Sequence, residues 1–310
     1  MENKIKSMRI YVTEKCNAHC ENCFNAASRT NTEMTLDDFE SLCKWLRENK
    51  IESLKLMGGE PTLHTNFKEL VEISQKYFDR IGIFTNGLND NFNNISLREN
   101  DSIIYNFRFN NVFSTEKFHY DIGGRRAFEV QVLQNTNEKL LTERLLELVI
   151  EKTKTKVTLT LDCKANIFTE KKVVVPKLLY IENILQSENI HYSYDHKIPL
   201  CYLYKTGINP RNSSLCNINN SGVIDANLNL HFCLQNNETL IPLVKDQKFI
   251  PWQIVLNNLS KQFFELRLKA LNKICLDCVF FNTKCNGGCW ISNENITKSD
   301  ILMNTNFPVS

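Results

Sequence analysis

Cys16, Cys20 and Cys23 lie within eight residues of one another, just past a short apolar stretch near the start of the chain. Iron–sulfur cubes are ordinarily held by four Cys thiolates, so a compact three-thiol loop with no fourth thiol nearby leaves one iron open to a substrate or cofactor. A zinc knuckle and three unrelated thiols are the competing readings, and the Cys-x3-Cys-x2-Cys spacing alone excludes neither. Context bears on the choice. A second apolar run, with Leu54, Leu56 and Met57, ends directly in Gly58-Gly59-Glu60-Pro61. A third, 81–84, runs into Thr85-Asn86-Gly87.

In this order the three segments resemble those of the radical S-adenosylmethionine (SAM) enzymes. The resemblance implies that Cys16, Cys20 and Cys23 hold a 4Fe-4S cluster whose open iron binds the methionine part of SAM. It also implies that Gly58, Gly59, Glu60 and Pro61 hold the SAM amino group, with Thr85 and Asn86 beside them. The position before the third cluster Cys is commonly aromatic in that family. Here it is Asn22 and the aromatic is Phe24, so both are candidates for the adenine, Asn22 through hydrogen bonding. Asn110, at the end of the fourth strand, and Asn166, after the fifth, are further SAM-binding candidates by resemblance.

From residue 8 to about 195, short apolar strands alternate with amphipathic helices, the pattern of parallel βα units. Strands are expected at 8–13, 52–57, 81–85, 103–109, 156–161 and 190–194. Thr35 and Asp38 read as a capping-box variant opening a helix to Asn49, with Leu36, Phe39, Leu42, Cys43 and Leu46 on one face. Cys43 is therefore expected to be a core thiol. A second helix is expected from about Asn66 to Phe78. The resemblance implies an α/β fold, a partial (β/α)6 TIM-like barrel, with its chemistry at the C-terminal strand ends, where barrels place their sites. Asn106, Arg108 and Asn110 alternate with Phe107 and Phe109, giving the fourth strand one polar face. The segment Ser114 to Arg126 reads as a flexible loop whose Gly123, Gly124, Arg125 and Arg126 form either a solvated edge or a carboxylate clamp. His19 and His64 lie near the presumed site, His19 as a loop residue and not a ligand; Cys163 reads as a bystander thiol.

The composition changes between about 195 and 215, with Pro199, Gly207 and Pro210. Then come Cys216, a hairpin over 223–230, Cys233, and Cys275-x2-Cys278-x6-Cys285-x3-Cys289. Alone, this group suits a structural zinc site equally well. It resembles the SPASM domain of radical SAM enzymes, which implies a small Cys-rich α+β domain carrying one or two auxiliary 4Fe-4S clusters. Asn227 or Leu228 stands where that pattern has a hairpin Gly, the third gap is six residues and not five, and no Cys follows Cys289. Two cubes need about eight ligands, more than these thiols supply. Either one cluster is absent, or an iron stays open or takes His231, Asp277 or Cys201. The expected division is a barrel over 1–198, a linker over 199–215, a SPASM-like domain over 216–295 and a tail over 296–310, with a structural helix from about Leu256 to Asn272.

A formal net charge of +2 gives no global field for nucleic acid. No apolar run approaches the roughly 20 residues that span a bilayer, and the first residues are too polar for a signal peptide. The expectation is a cytoplasmic protein that binds neither nucleic acid nor membrane, whose twelve cysteines serve ligation and not disulfides. The resemblance implies reductive cleavage of SAM to a 5′-deoxyadenosyl radical that abstracts hydrogen from a substrate. A ribosomally made peptide or protein side chain is the first expectation, modified by thioether or carbon–carbon crosslinking, epimerisation or oxidation. The alternatives are oxidation of a small molecule such as an amino sugar, or a non-catalytic iron–sulfur or zinc protein. The expected partners are a reductant such as flavodoxin or ferredoxin and, because the barrel begins near residue 8, a separate peptide-recognition protein. No side chain is assigned as catalytic acid, base or radical quencher.

Overall fold

The computed structural model describes residues 5–20, 23, 31–89, 91–108, 122–149, 155–161, 171–195, 222–233 and 239–270. Asn22, Phe24, Asn110, Asn166, Cys163, Cys201, Cys216, Cys275, Asp277, Cys278, Cys285 and Cys289 lie outside the described residues. The chain forms two compact units of mostly α/β character, in which parallel strands alternate with helices.

In the first unit, β1 (Ser7–Thr13), β2 (Ser53–Gly58), β3 (Arg80–Thr85) and β4 (Leu97–Arg108) pair parallel, each with the next. Ile10, Leu56, Ile83 and Ile103 stand opposite one another along a single row, and none is exposed. The alternate row, Arg9, Lys55, Gly82 and Ser102, belongs to the other face, as the two-residue period of a strand requires. Helix α1 (Leu36–Glu48) buries Phe39, Leu42, Cys43 and Leu46 of the face read from its sequence and leaves Leu36 half-buried. Full burial of each such aliphatic side chain contributes about 1.5–3 kcal/mol. Thr35 caps the helix: its Oγ1 accepts from Asp38 N at 3.1 Å and donates to Asp38 Oδ2 at 2.7 Å. Helix α2 (Phe67–Tyr77) follows β2 and buries Phe67, Leu70 and Val71.

Two expectations about this unit fail. β4 starts six residues before residue 103, across the polar run Arg98-Glu99-Asn100-Asp101. Asp101 belongs inside because its carboxylate accepts from Ile81 N, Arg98 N, Arg98 Nε and Nη2, and Gln75 Nε2, all at 2.9–3.0 Å. The reading of the segment up to Arg126 as a flexible loop fails as well, for from Gly123 onward it is a strand, β5 (Gly123–Val132), that the sequence reading omits. Gly123 and Gly124 have φ of 77° and 73°, and a Cβ on Gly123 would lie 2.4 Å from Leu97 O. Arg126 turns back to donate to Gly123 O at 2.7 Å, and Arg125 to Asn100 Oδ1 at 3.4 Å. Both arginines thus sit at the strand's start, whereas the cysteine loop follows a strand's end.

Also in this unit, β8 (Val223–Ile224) pairs parallel with β1 and antiparallel with β9 (Asn229–His231), which pairs with β10 (Thr239–Pro242). The Asp225 carboxylate organises the turn by accepting from Asn227 N, Asn229 N, Asn229 Nδ2 and His231 Nε2. Leu228, not Asn227, takes the left-handed conformation, at φ 60°. A small hairpin, β11 (Val244–Lys245) with β12 (Lys248–Phe249), leads into α5 (Trp252–Ala270), which starts four residues before Leu256. Trp45 of α1 stacks on Phe249 and meets Trp252 edge-on, with ring centroids 4.9 and 5.1 Å away.

The second unit holds the later half of β5, α3 (Glu138–Leu148), β6 (Thr155–Leu161), α4 (Lys171–Ser187) and β7 (His191–Tyr194). β6 and β7 are parallel, with Val157 opposite Tyr192. Tyr192 donates to the buried Glu182 of α4 at 2.6 Å, which identifies the helix-covered face. Among the described residues no helix is long and apolar enough to cross a membrane.

Candidate cofactor site

β1 and β2 end side by side at Thr13 and Gly58, and β3 ends at Thr85. The residues that follow are the cysteine loop, Gly59-Glu60-Pro61 and Asn86-Gly87. Gly59 N donates to Thr13 O at 2.8 Å and Glu60 N to Lys15 O at 2.7 Å, so the second segment holds the root of the first. The approach is so close that a Cβ on Gly59 would lie 2.4 Å from Lys15 O and 2.8 Å from Cys16 Cβ, and one on Gly58 2.7 Å from Thr13 O. Space, not a left-handed φ, demands both glycines. The loop's far end is fastened as well, by Glu14 N to Thr32 O at 3.0 Å and Met34 N to Val12 O at 2.9 Å. Glu33 receives Lys15 Nζ, Thr65 N and Thr65 Oγ1; burial pushes its carboxyl up, but these donors hold it below the ordinary carboxylate range.

Glu60 is fully buried. Its Oε1 accepts from Thr62 Oγ1 at 2.6 Å, Thr85 Oγ1 at 3.0 Å and Thr62 N at 3.3 Å, and its Oε2 from Asn86 N at 2.6 Å. Burial pushes this carboxyl above its ordinary value, against donors that favour the charged form. The side chain ties the end of β2 to the end of β3. Pro61 opens a single 3-10 turn, Pro61–Leu63, that carries Thr62 back toward Glu60. His64 Nδ1 accepts from Asn66 N and its Nε2 lies 2.9 Å from Met34 O, so Nε2 carries the proton and both ring nitrogens serve the backbone.

Thr85 Oγ1 also accepts from Gly87 N, and Gly87 takes φ 68°. Asn86 Oδ1 accepts from Leu88 N at 2.9 Å, while its Nδ2 lies 2.8 Å from Asn17 Oδ1 and 3.9 Å from Cys16 Sγ. Cys16, Cys20 and Cys23 are all part-exposed and outside any disulfide, and Cys23 N donates to Cys20 O at 3.2 Å. Among the described residues no three Cys, His, Asp or Glu side chains are already gathered around a point that could hold a metal ion. The donors still suit a thiolate-bound cluster: three thiols on one solvent-reachable loop, seated on glycines that leave no room for other residues. His19 is exposed on the same loop. Cys43 is buried, and burial raises its thiol far above the reactive range, as expected of a core thiol. His231, an alternative ligand by sequence, is held to Asp225 Oδ2 at 2.8 Å, near the part-exposed Cys233.

Taken by itself, the second unit carries polar residues that the sequence reading does not single out. Phe128, Val130 and Val132 are buried along one side of β5, and Glu129 and Gln131 alternate with them. Thr158 and Thr160 likewise alternate with the buried Val157 and Leu159, and Thr160 Oγ1 donates to Asp195 Oδ2 at 3.0 Å. Gln131 is only 8% exposed, and among the described residues its buried Oε1 has no hydrogen-bond partner. The alternation was the available signal on β5, hidden because the strand itself was not anticipated.

Residues 10–100 match the family model of the radical SAM superfamily, which spans all three motif segments. A probable GTP 3′,8-cyclase of Methanothermobacter marburgensis is 36% identical over 83 residues, 26% of this chain and 27% of that protein. The chain thus matches about a quarter of the length of this curated relative. Among solved structures, Streptococcus suis SuiB bound to S-adenosylmethionine has a TM-score of 0.68 at 15% identity, covering 93% of this chain and 74% of that one. The structure of anSMEcpe with bound AdoMet and Cp18Cys peptide has a TM-score of 0.64 at 19% identity, covering 91% and 88%.

Proposed function

We propose that this chain is a radical SAM enzyme in which Cys16, Cys20 and Cys23 hold a 4Fe-4S cluster with one open iron, and SAM lies across the ends of β1, β2 and β3. One observation carries the reading: the three-thiol loop is seated on Gly58-Gly59-Glu60, and Glu60 is bonded in turn to Thr85 and Asn86, so all three motifs form one bonded unit. When bound, the reduced cluster and SAM supply a 5′-deoxyadenosyl radical that takes hydrogen from the substrate. The chain's own contribution is placement. The Gly58-Gly59-Glu60-Pro61 backbone receives the SAM ammonium, since the Glu60 carboxylate is already taken by protein donors. Asn22 and Phe24 serve the adenine, and Asn110, Asn166, Thr85 and Asn86 complete the surround. The barrel is assigned to 1–198. Cys216, Cys233, Cys275, Cys278, Cys285 and Cys289 hold one or two auxiliary clusters in a SPASM-like domain over 216–295.

A peptide or protein side chain is the proposed substrate, with a flavodoxin or ferredoxin as electron donor and a separate protein for peptide recognition. Fold likeness to the peptide-bound anSMEcpe extends over 91% of the chain, whereas sequence likeness to the GTP 3′,8-cyclase is confined to 83 residues. That stretch carries the cofactor motifs and therefore speaks for SAM more than for substrate. It still favours small-molecule chemistry as the second reading. The test is anaerobic reconstitution with iron and sulfide, addition of dithionite and SAM, and quantification of 5′-deoxyadenosine beside the Cys16→Ala/Cys20→Ala/Cys23→Ala variant. Product in the wild type alone supports the reading. A loaded cluster that yields none, with or without peptide or GTP, overturns it.

A further inference from the structure

Asn86 turns its amide toward the cysteine loop. The assignment of its two ends is fixed by chemistry: Leu88 N can only donate, so the atom it meets at 2.9 Å is Oδ1, and the other end carries the two N–H groups. Those two hydrogens have two acceptors, Asn17 Oδ1 at 2.8 Å and Cys16 Sγ at 3.9 Å. The residue has little freedom to turn elsewhere. Its backbone N–H is held by Glu60 Oε2 at 2.6 Å, Gly87 follows at φ 68° with its N–H on Thr85 Oγ1, and the residue as a whole is only 6% exposed. Cys16 Sγ also accepts from Ala18 N at 3.4 Å.

We propose that Asn86 is a positioning residue whose side-chain N–H donates to the Cys16 sulfur and thereby raises the reduction potential of the cluster held there. The inference rests on the reading that Cys16, Cys20 and Cys23 ligate a 4Fe-4S cluster. Hydrogen bonds to ligand sulfurs are among the levers that set such potentials. A donor stabilises the reduced state more than the oxidised one, because the reduced state carries the extra negative charge. Asn17 keeps the amide aimed at the sulfur by binding its other hydrogen.

The test is a redox titration of the reconstituted full chain, read by the EPR signal of the reduced cluster, for wild type, Asn86→Ala, Asn86→Asp, Asn86→Ser and Asn17→Ala. Asp keeps an oxygen for Leu88 N but loses the donor and adds charge. Ser keeps a hydroxyl for the turn and loses the amide. At a fixed applied potential the reduced-to-oxidised ratio should fall about threefold or more in the Ala and Ser variants. In the Asp variant it should fall about tenfold, which is 59 mV for a one-electron couple. Asn17→Ala, which leaves the donor in place, should change it by less. If the Asn86 variants load the cluster normally and titrate with wild type, the inference is overturned. It is also overturned if all three fail to load, since the residue is then structural. If the wild type holds no more cluster than the triple Cys variant, the underlying reading has failed instead.

Discussion

Replacing Glu60 separates the buried brace from the cofactor chemistry it supports. Removing the side chain in Glu60→Ala orphans Thr62 N and Asn86 N, two backbone donors that cannot rotate to new partners. An unsatisfied buried donor costs about 1–3 kcal/mol, so the pair costs about 2–6 kcal/mol. Relief of the buried carboxyl works the other way, and the expected net loss is about 2–4 kcal/mol. Glu60→Gln keeps the shape, but with its oxygen on the three threonine donors its NH2 faces Asn86 N, donor against donor. We expect it to lose about 1–3 kcal/mol. Urea unfolding, read as a lower midpoint at unchanged slope, measures both. The pH dependence carries a sign. Burial raises the Glu60 carboxyl, so the folded protein binds this proton more tightly than the unfolded chain does. The contribution favours folding below the unfolded value and is lost as pH rises through the folded one; Glu60→Gln should abolish that part of the profile. A Glu60→Gln protein as stable as wild type at every pH would refute the brace.

Asp101 should behave with the opposite sign. Burial opposes its charge, but Arg98, Gln75 and the backbone hold its carboxyl low, so its stabilisation is present above the unfolded value and lost as pH falls through the folded one. Asp101→Asn should cost about 1–3 kcal/mol near neutral pH and flatten the acid limb of a stability–pH curve. Gly59→Ala should displace the loop that a Cβ would meet at 2.4 Å, so iron bound after reconstitution should drop severalfold while far-ultraviolet circular dichroism stays unchanged; normal loading would contradict the packing argument. Gln131→Leu removes a buried Oε1 that has no partner among the described residues, and the melting temperature should hold or rise, by up to about 1 kcal/mol of stability. A loss of more than that would mean the amide is bonded after all.

What could be read from the sequence was whatever short-range chemistry dictates. The thiol loop, the glycine pair and Thr85-Asn86-Gly87 each follow an apolar run, and strand ends are where such segments meet. The buried face of α1 followed from its period, and Cys43 with it. Two of the failures share one cause, a polar or flexible residue whose partner is distant in the chain. Asp101 lies in a strand because Ile81 and Gln75 reach it across more than 19 positions, and the preceding charges looked like a loop. Gly123-Gly124 looked like a turn because φ above zero usually marks one, yet here it lets β5 start hard against Leu97. Leu228 takes the conformation expected of the neighbouring Asn because Asp225 closes the turn around it.

The same long-range bonding connects stability to redox tuning. Glu60 receives the Asn86 backbone N–H, and the Asn86 side chain reaches Cys16, so Glu60 acts on the cluster loop by two routes: its backbone N–H binds Lys15 O directly, and its carboxylate acts through Asn86. The routes separate experimentally. Glu60→Gln leaves the Lys15 contact intact and disturbs only the Asn86 anchor, so its effect on the reduction equilibrium should vanish in an Asn86→Ala background. Contacting residues that act through one another give this non-additivity, whereas independent effects would sum. If the two changes simply add, Glu60 reaches the loop through its backbone and the amide is aimed by Asn17 alone.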